Sequence, residues 1–217
     1  MLTRISECRL FFREFRETFH TTGAVLPSGR ALSRRLARFV RETPGPKRIL
    51  EVGPGTGAVT RWIVEAMGPE DRLDLVELND RFVARLGERF RTEAPFRRVA
   101  ERATIHHCPI QDLTGESRYD TLISGLPLNN FSVDLVESIL AVLGRLAKPG
   151  ATLSFFEYIA IRRAKALVSG AEQRARLKGI EDVLGGVLRR QEIARDAVWR
   201  NVPPAWVHHV RYPANGA

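Results

Sequence analysis

The densest run of chemically suggestive residues is EVGPGTGAVT, Glu51 to Thr60, where a β-rich segment gives way to a helical one. Gly53, Gly55 and Ala58 satisfy the G-x-G-x-x-G/A spacing, with Thr56 and Gly57 inside it. Glycines there allow a tight turn and let a ligand approach backbone N–H groups closely. Such spacing is weak evidence alone. It gains weight from Glu77, at the end of the next β-rich segment and just before Leu78 and Asn79, where a carboxylate can accept both ribose hydroxyls of an adenosine. Nicotinamide dinucleotides and S-adenosylmethionine both carry that adenosine, and Glu51 separates them. A carboxylate two residues before the first glycine repels a pyrophosphate and attracts the ammonium of a methionine tail. The expected cofactor is therefore S-adenosylmethionine, with S-adenosylhomocysteine left after transfer.

Other residues invite chemical readings of different strength. SGLPLNNF, Ser124 to Phe131, falls at the end of a fourth β-rich segment, the usual place for reactive groups in an open α/β sheet. His106, His107 and Cys108 look like metal ligands, but neighbours on a strand point to opposite faces and no further ligands stand at a suitable spacing, so no metal is expected. His208 and His209 belong to the last β-rich stretch and are expected to be structural. Cys8 and Cys108 lie far apart without metal-ligand spacing, as expected of a reduced, cytosolic chain.

These residues need strands and helices to position them, and the pattern supplies both. Strands are predicted at Lys47–Gly53, Asp71–Asn79, Ala103–Ile110, Tyr119–Pro127 and Ala151–Ile159. Helices are predicted from Val59 to Met67, Arg81 to Thr92 and Val133 to Leu146, the last closed by Pro149 and Gly150. Strict alternation means βαβ units and a mostly parallel sheet with helices on both faces. Asp196 to Tyr212 holds two β-rich runs around Pro203 and Pro204, which suits a terminal antiparallel hairpin. Upstream, Ile5, Cys8, Phe12, Phe15 and Phe19 fall at helical spacing among arginines and predict an amphipathic helix over Leu2 to His20. A loop through His20–Leu32 then enters a basic helix, Arg30 to Val40. The division is thus residues 1–45 as an N-terminal helix, loop and basic helix, and 46–217 as the main α/β domain.

The chain has 217 residues, 44% of them hydrophobic and 27% charged, which fits one folded domain and excludes a disordered, collagen-like or disulfide-scaffold protein. Its 34 Lys and Arg against 25 Asp and Glu leave a net charge of +9, pointing to an anionic partner, either nucleic acid or an acidic membrane surface. Much of the excess lies in a mostly helical stretch over about 161–195, where Arg162, Arg163, Lys165, Arg174, Arg176, Lys178, Arg189, Arg190 and Arg195 outnumber Glu172, Glu181, Asp182 and Glu192. Arginines interrupt any signal-like apolar run near the start, and no run is long enough to span a bilayer.

EVGPGTG closely resembles motif I of the class I S-adenosylmethionine-dependent methyltransferases, Glu77 stands where that family has its ribose acid, and Asp112 in CPIQDL, with Ile110 and Gln111, stands where an acidic side chain faces the adenine amine. The resemblance implies a Rossmann-like fold with a seven-stranded sheet. HTTGAVLPSGRAL, EVGPGTG, VELN, SGLPLNNF and LSFFEYIAIR together resemble the bacterial phospholipid N-methyltransferases related to rRNA adenine dimethylases, over roughly His20 to Tyr212. That likeness implies stepwise methylation of phosphatidylethanolamine and its mono- and dimethyl derivatives toward phosphatidylcholine, by a cytoplasmic enzyme held peripherally at the inner membrane. The alternative is an rRNA adenine N6-methyltransferase; a third is a non-catalytic adaptor on the same fold.

The resemblance also implies roles. Thr22, Gly23, Ser124 and Gly125 would join the glycine turn in holding the cofactor, and Leu126, Pro127, Leu128, Asn129, Asn130 and Arg30 would meet the substrate. Amine and adenine methyltransferases carry N-L-P-Y or D-P-P-Y after the fourth strand; here Gly125 replaces the polar first residue and Leu128 the aromatic. That removes the platform on which a flat base stacks and favours lipid over nucleic acid. An ethanolamine head group must lose a proton before it attacks, so a base is needed, and Glu157, Tyr158 and His20 are the candidates. Ile5, Phe12, Phe15 and Phe19 would touch the bilayer, with the basic stretch attracting anionic lipid.

Overall fold

Buried strands and half-buried helices follow directly from where apolar residues fall. RILEV forms β1 (Arg48–Val52), and four of its five residues are buried because helices cover both faces of a parallel sheet. β2 (Arg72–Glu77), β3 (Ala103–His107) and β4 (Tyr119–Ser124) follow, then β5 (Ala147–Tyr158), β6 (Glu192–Val198) and β7 (Ala205–Arg211). The computed structural model describes residues 29–159 and 170–214. The expected amphipathic helix with Ile5, Phe12, Phe15 and Phe19, the segment with His20, Thr22 and Gly23, and Cys8 lie outside the described residues, as do 160–169 of the basic stretch.

The sheet has seven strands in the order β3-β2-β1-β4-β5-β7-β6. β1 to β5 run parallel; β7 is antiparallel to both β5 and β6 and closes the sheet as a hairpin. On one face lie α1 (Arg30–Leu36), α2 (Arg38–Glu42), α3 (Ala58–Ala66), α4 (Asp80–Thr92) and α5 (Ala94–Arg97), burying Leu32, Val40, Ile63, Phe90 and Phe96 against Ile49, Leu75 and Phe156. On the other lie α6 (Val133–Leu146) and α7 (Ala171–Gln191). Leu135, Val136, Ile139, Leu143 and Leu146 recur on the inner side of α6, and Ile180 and Leu184 of α7 join them over Leu122 and Phe155.

Polar side chains stop these helices slipping. Asn79 Oδ1 accepts the Arg81 and Phe82 N–H groups at the start of α4, and Ser132 Oγ accepts that of Leu135 at the start of α6. Across the amino-terminal half of the sheet, Asp74 of β2 collects partners from three other strands: His106 Nε2 of β3 at 2.9 Å, the Tyr119 hydroxyl of β4 at 2.9 Å and Arg48 Nη2 of β1 at 3.2 Å. Burial works against this carboxylate, but His106, Tyr119 and Arg48 outweigh it and hold its pKa below the ordinary aspartate value.

Most predicted elements stand within a few residues of the observed ones, and three differ. The basic helix Arg30–Val40 is two helices broken at Ala37, whose ψ of 4° leaves the helical range. Pro149 and Gly150 do not close α6; they lie inside β5, which begins at Ala147 because Ala147 pairs with Tyr119 and the Lys148 ammonium reaches both Asp120 oxygens at 2.8 Å. The helical reading of the basic stretch ends too late, since Glu192 already pairs with Val210 in β6.

Asp74→Asn is expected to lose about 1.5–3 kcal/mol at pH 7, the worth of hydrogen bonds to a charged group. Because the folded pKa is depressed, this contribution is present above the unfolded value near pH 3.9 and disappears as pH falls through the folded one. Urea unfolding at pH 7 and pH 3 checks it: the gap between variant and wild type should narrow in acid.

Candidate active site

The carboxyl ends of β1, β2 and β4 meet in register, Val52 beside both Val76 and Ser124. Beyond them the backbone keeps bonding: Gly53 N–H donates to Val76 O at 2.9 Å and Gly125 N–H to Val52 O at 2.8 Å. The two loops approach so closely that a Cβ on Gly125 would sit 2.5 Å from the Gly53 carbonyl oxygen. Gly125 is thus required by space. No polar side chain could occupy this position without displacing the glycine turn.

The turn itself reverses on left-handed backbone at Gly53, Gly55 and Gly57, with φ of 69°, 56° and 83°, which glycine adopts at low cost. Gly57 then caps α3. Glu77 holds the turn from below: its Oε2 accepts Gly55 N–H at 3.0 Å and its Oε1 accepts Leu78 and Asn79 N–H, each at 2.9 Å. Burial nevertheless pushes the Glu77 carboxyl up from its ordinary value, against the pull of these three bonds. Arg89 of α4 holds the turn from the side, donating through Nη1 to the carbonyls of Thr56 (2.7 Å) and Gly57 (2.8 Å). Glu93 grips the same guanidinium and the Phe96 ring lies 4.2 Å beneath it. With these carbonyls drawn toward Arg89, the turn is pre-formed. No sequence motif marked Arg89; its position one helix away from the glycines concealed it.

Glu51 presents the opposite condition. It is fully buried, and among the described residues neither carboxylate oxygen makes a hydrogen bond of ordinary length and direction. Burial pushes its carboxyl up to about 8; Thr60 beside it and Arg89 pull down, and Glu77 pushes further up. Gln111, in the helical turn Ile110–Asp112 after β3, likewise keeps a buried Oε1 without a partner, while its Nε2 reaches Ser138 Oγ at 3.5 Å. An open, left-handed Gly55 whose missing Cβ would meet nothing within 4 Å, an orphaned carboxylate and an orphaned amide oxygen fit a ligand bearing an ammonium at one end and a donor amine at the other.

The remaining expected site residues separate. Ile110 is buried in the core and Asp112 is exposed. Ser124 Oγ turns inward to accept the Leu126 N–H at 3.4 Å. Leu126 covers Gly53, whose added Cβ would meet the Leu126 side chain at 2.5 Å. Leu128, expected at the substrate, is 2% exposed and packs in the α6 core. Asn129 is buried, and Arg176 of α7 donates to the carbonyls of Asn129 and Phe131, holding this loop down. Pro127 is half-buried, Asn130 lies in the short helical turn with Leu128, and Arg30 is exposed at the start of α1.

Glu157 and Tyr158 do not form a pair. They alternate on β5, so Tyr158 packs edge-on against Phe156 on the α1 side while Glu157 faces His208 on the other. His208 Nδ1 is hydrogen-bonded to Glu192 at 2.7 Å, whereas its buried Nε2 lies 3.3 Å from Glu157 without forming a hydrogen bond among the described residues. His209, by contrast, is structural, bonded to Ser154 Oγ at 2.7 Å and to Asp196 at 3.2 Å. A groove of about 450 Å³ lined by Arg91, Arg97, Arg98 and Arg102 lies at the opposite edge of the sheet, where Arg102 is bonded to Gly68 and Asp71 before β2.

Residues 49–150 match the family model of a methyltransferase domain. An ornithine lipid N-methyltransferase of Singulisphaera acidiphila is 28% identical over 145 residues, 67% of this chain and 74% of that one. A highly reducing polyketide synthase of Aspergillus niger is 29% identical over 70% of this chain, which spans only 6% of that much larger protein. Among solved structures, the Burkholderia thailandensis 1,6-didemethyltoxoflavin N1-methyltransferase, determined with 1,6-didemethyltoxoflavin and S-adenosylhomocysteine, superposes with a TM-score of 0.67 at 18% identity over 96% of this chain and 89% of its own. The O-methyltransferase TomG of Streptomyces achromogenes, determined with S-adenosylmethionine, gives 0.58 at 18% identity over 84% and 79%. The fold is the Rossmann-like methyltransferase fold.

Glu51 sets an expected pH dependence of stability. Its folded pKa near 8 lies above the unfolded 4.5, so the folded state holds the extra proton between them. Stability should therefore fall as pH rises through that window, by at most about 1.4 kcal/mol per pH unit from this group. Glu51→Gln, which cannot ionise, is expected to flatten the curve; thermal unfolding from pH 5 to pH 9 checks it.

Proposed function

We propose, from the premise that residues 49–150 form a methyltransferase domain, that the protein transfers a methyl group to the amine of a membrane lipid. Phosphatidylethanolamine and its mono- and dimethyl derivatives are the substrates proposed, with phosphatidylcholine as the end product. The cofactor is S-adenosylmethionine, which fits the glycine turn, the ribose-facing Glu77 and the two orphaned acceptors. The observation that carries the lipid reading is the likeness to an ornithine lipid N-methyltransferase over two-thirds of the chain. The loop after β4 supports it, because Leu128 is buried and offers no ring on which a flat base could stack.

When bound, S-adenosylmethionine supplies a sulfonium, an already activated methyl donor. The chain's own groups then have three tasks. Backbone N–H groups of the Gly53–Gly57 turn and Glu77 would hold the adenosine, and the unpartnered Gln111 Oε1 would be an acceptor for its adenine amine. Glu51 binds the methionine ammonium, a charge that draws its carboxyl into the ionised form. The loop Leu126–Asn130, held by Arg176, brings the lipid amine to the edge of the sheet, since an in-line displacement depends mainly on position. Glu157, 3.3 Å from His208, would accept the proton that the ammonium head group must shed before its nitrogen could take the methyl group.

Two outcomes are expected. Protein incubated with methyl-labelled S-adenosylmethionine should label phosphatidylethanolamine vesicles and leave ribosomal RNA unlabelled; label appearing only in RNA would replace this reading with the adenine methyltransferase. Glu77→Ala should weaken S-adenosylmethionine binding by about 1.5–3 kcal/mol through the lost charged hydrogen bond to ribose. Because Glu77 also holds three backbone N–H groups, the same variant should unfold at lower temperature, read by calorimetry on the free protein.

A further inference from the structure

The tip of the β6–β7 hairpin exposes apolar side chains beside the proposed site. Trp199 is 66% and Val202 77% exposed, the highest values among the large apolar side chains of the described residues, with exposed Arg200 between them. β7 leaves this tip at Ala205, opposite Tyr158 at the end of β5, and Ile159 N–H donates to Pro204 O at 2.9 Å. The tip therefore stands at the carboxyl edge of the sheet, the edge that carries Glu51, the glycine turn and Glu157.

The tip is held in place. Asn201 is buried, accepts the Gly29 N–H at 3.0 Å through Oδ1 and donates through Nδ2 to Pro203 O at 2.9 Å, so Trp199 and Val202 project from an anchored turn. Trp206 packs edge-on to Trp199 at 6.1 Å, and the Arg195 guanidinium lies 4.9 Å over the Trp206 ring. Arg30, exposed, follows Gly29 directly. The carboxylates near this end are engaged: Asp196 with Arg35, Arg38 and His209, and Glu157 with His208. What faces outward is thus tryptophan and valine among arginines.

We propose that this hairpin tip docks the protein on an anionic phospholipid surface, with Trp199 and Val202 entering the interface and Arg30, Arg195 and Arg200 meeting lipid phosphates. The inference rests on the lipid reading of the site and names the surface that would bring that site to its substrate. Tryptophan favours the boundary between head groups and acyl chains, where its ring is buried and its N–H stays wet. Two side chains are far less than the roughly 1,200–2,000 Å² that a stable protein partner buries, but they suffice for reversible adsorption assisted by positive charge. The chain's net charge of +9 supplies the complementarity.

The test uses the full chain, the double variant Trp199→Ser with Val202→Ser, and vesicles of phosphatidylethanolamine with or without phosphatidylglycerol. Wild type should co-sediment with the anionic vesicles and release in high salt. The variant should bind them roughly ten- to a hundredfold more weakly, from the lost burial of two apolar side chains, with unchanged melting temperature and S-adenosylmethionine affinity. Its methylation of vesicle lipid should fall in step, while its methylation of the same lipid in detergent micelles is retained. Equal vesicle binding by variant and wild type overturns the proposal, as does a solution dimer in which Trp199 is shielded from quencher, or loss of RNA binding in place of vesicle binding. Failure of the lipid reading looks different: wild type then methylates lipid neither in vesicles nor in micelles, whatever the variant does to vesicle binding.

Discussion

Everything at the carboxyl edge depends on two backbones passing too close for any side chain between them. Gly125 donates its N–H to Val52 O, and its missing Cβ would fall 2.5 Å from Gly53 O, so the loops after β1 and β4 meet as bare peptide. This contact decides which residues may stand at the first position of the loop after β4. A polar side chain there, as amine methyltransferases commonly carry, would force the glycine turn outward. The chain instead keeps the turn, and the rest of the loop is held by Arg176 from α7 through the carbonyls of Asn129 and Phe131.

The turn so formed is stabilised without its ligand, and that separates two carboxylates of the same edge. Glu77 is satisfied by three backbone N–H groups and Arg89 secures the carbonyls on the other side of the turn. Glu51 has no such company among the described residues and carries the desolvation penalty as a raised pKa. A buried acid without a partner weakens the free fold, a cost tolerated where binding a cation recovers it. The two acids are thus buried neighbours that differ in partners: Glu77 accepts three backbone N–H groups and Glu51 has neither oxygen so satisfied.

Much of this was legible in the sequence because the signals are local. The glycine spacing, the buried run of β1 and the periodicity of Val133–Leu146 each reflect neighbours along the chain. The misreadings arise where distant pairing overrides local signals. Pro149 and Gly150 look like a helix stop, yet Ala147 on Tyr119 and Lys148 on Asp120 carry β5 back across them. Glu192 and Ile193 read as the end of a charged helix until β7 supplies a partner strand. Arg89, Arg176 and His208 carried no motif, because each acts across a gap that only the folded sheet closes. Leu128 shows the reverse case: its place in a motif suggested a substrate contact, while its apolar side chain packs in the core.

The alternation of β5 has a chemical consequence beyond correcting the Glu157–Tyr158 pair. Tyr158 shares the α1 side of the sheet with Ile49, and Glu51, two residues further along β1, falls on that side by the same alternation. Glu157 faces the α7 side with Phe155 and His208. The carboxylate proposed for the methionine ammonium and the one proposed for the acceptor's proton therefore stand on opposite faces. Two carboxylates in one pocket would raise one another's pKa and share a single proton, and each amine would compete for both. Separation by the sheet keeps Glu51 and Glu157 from sharing one proton or one amine. Beyond Glu157, His208 turns its Nδ1 to Glu192 at 2.7 Å, so this face of the sheet carries its own imidazole–carboxylate pair, away from Glu51.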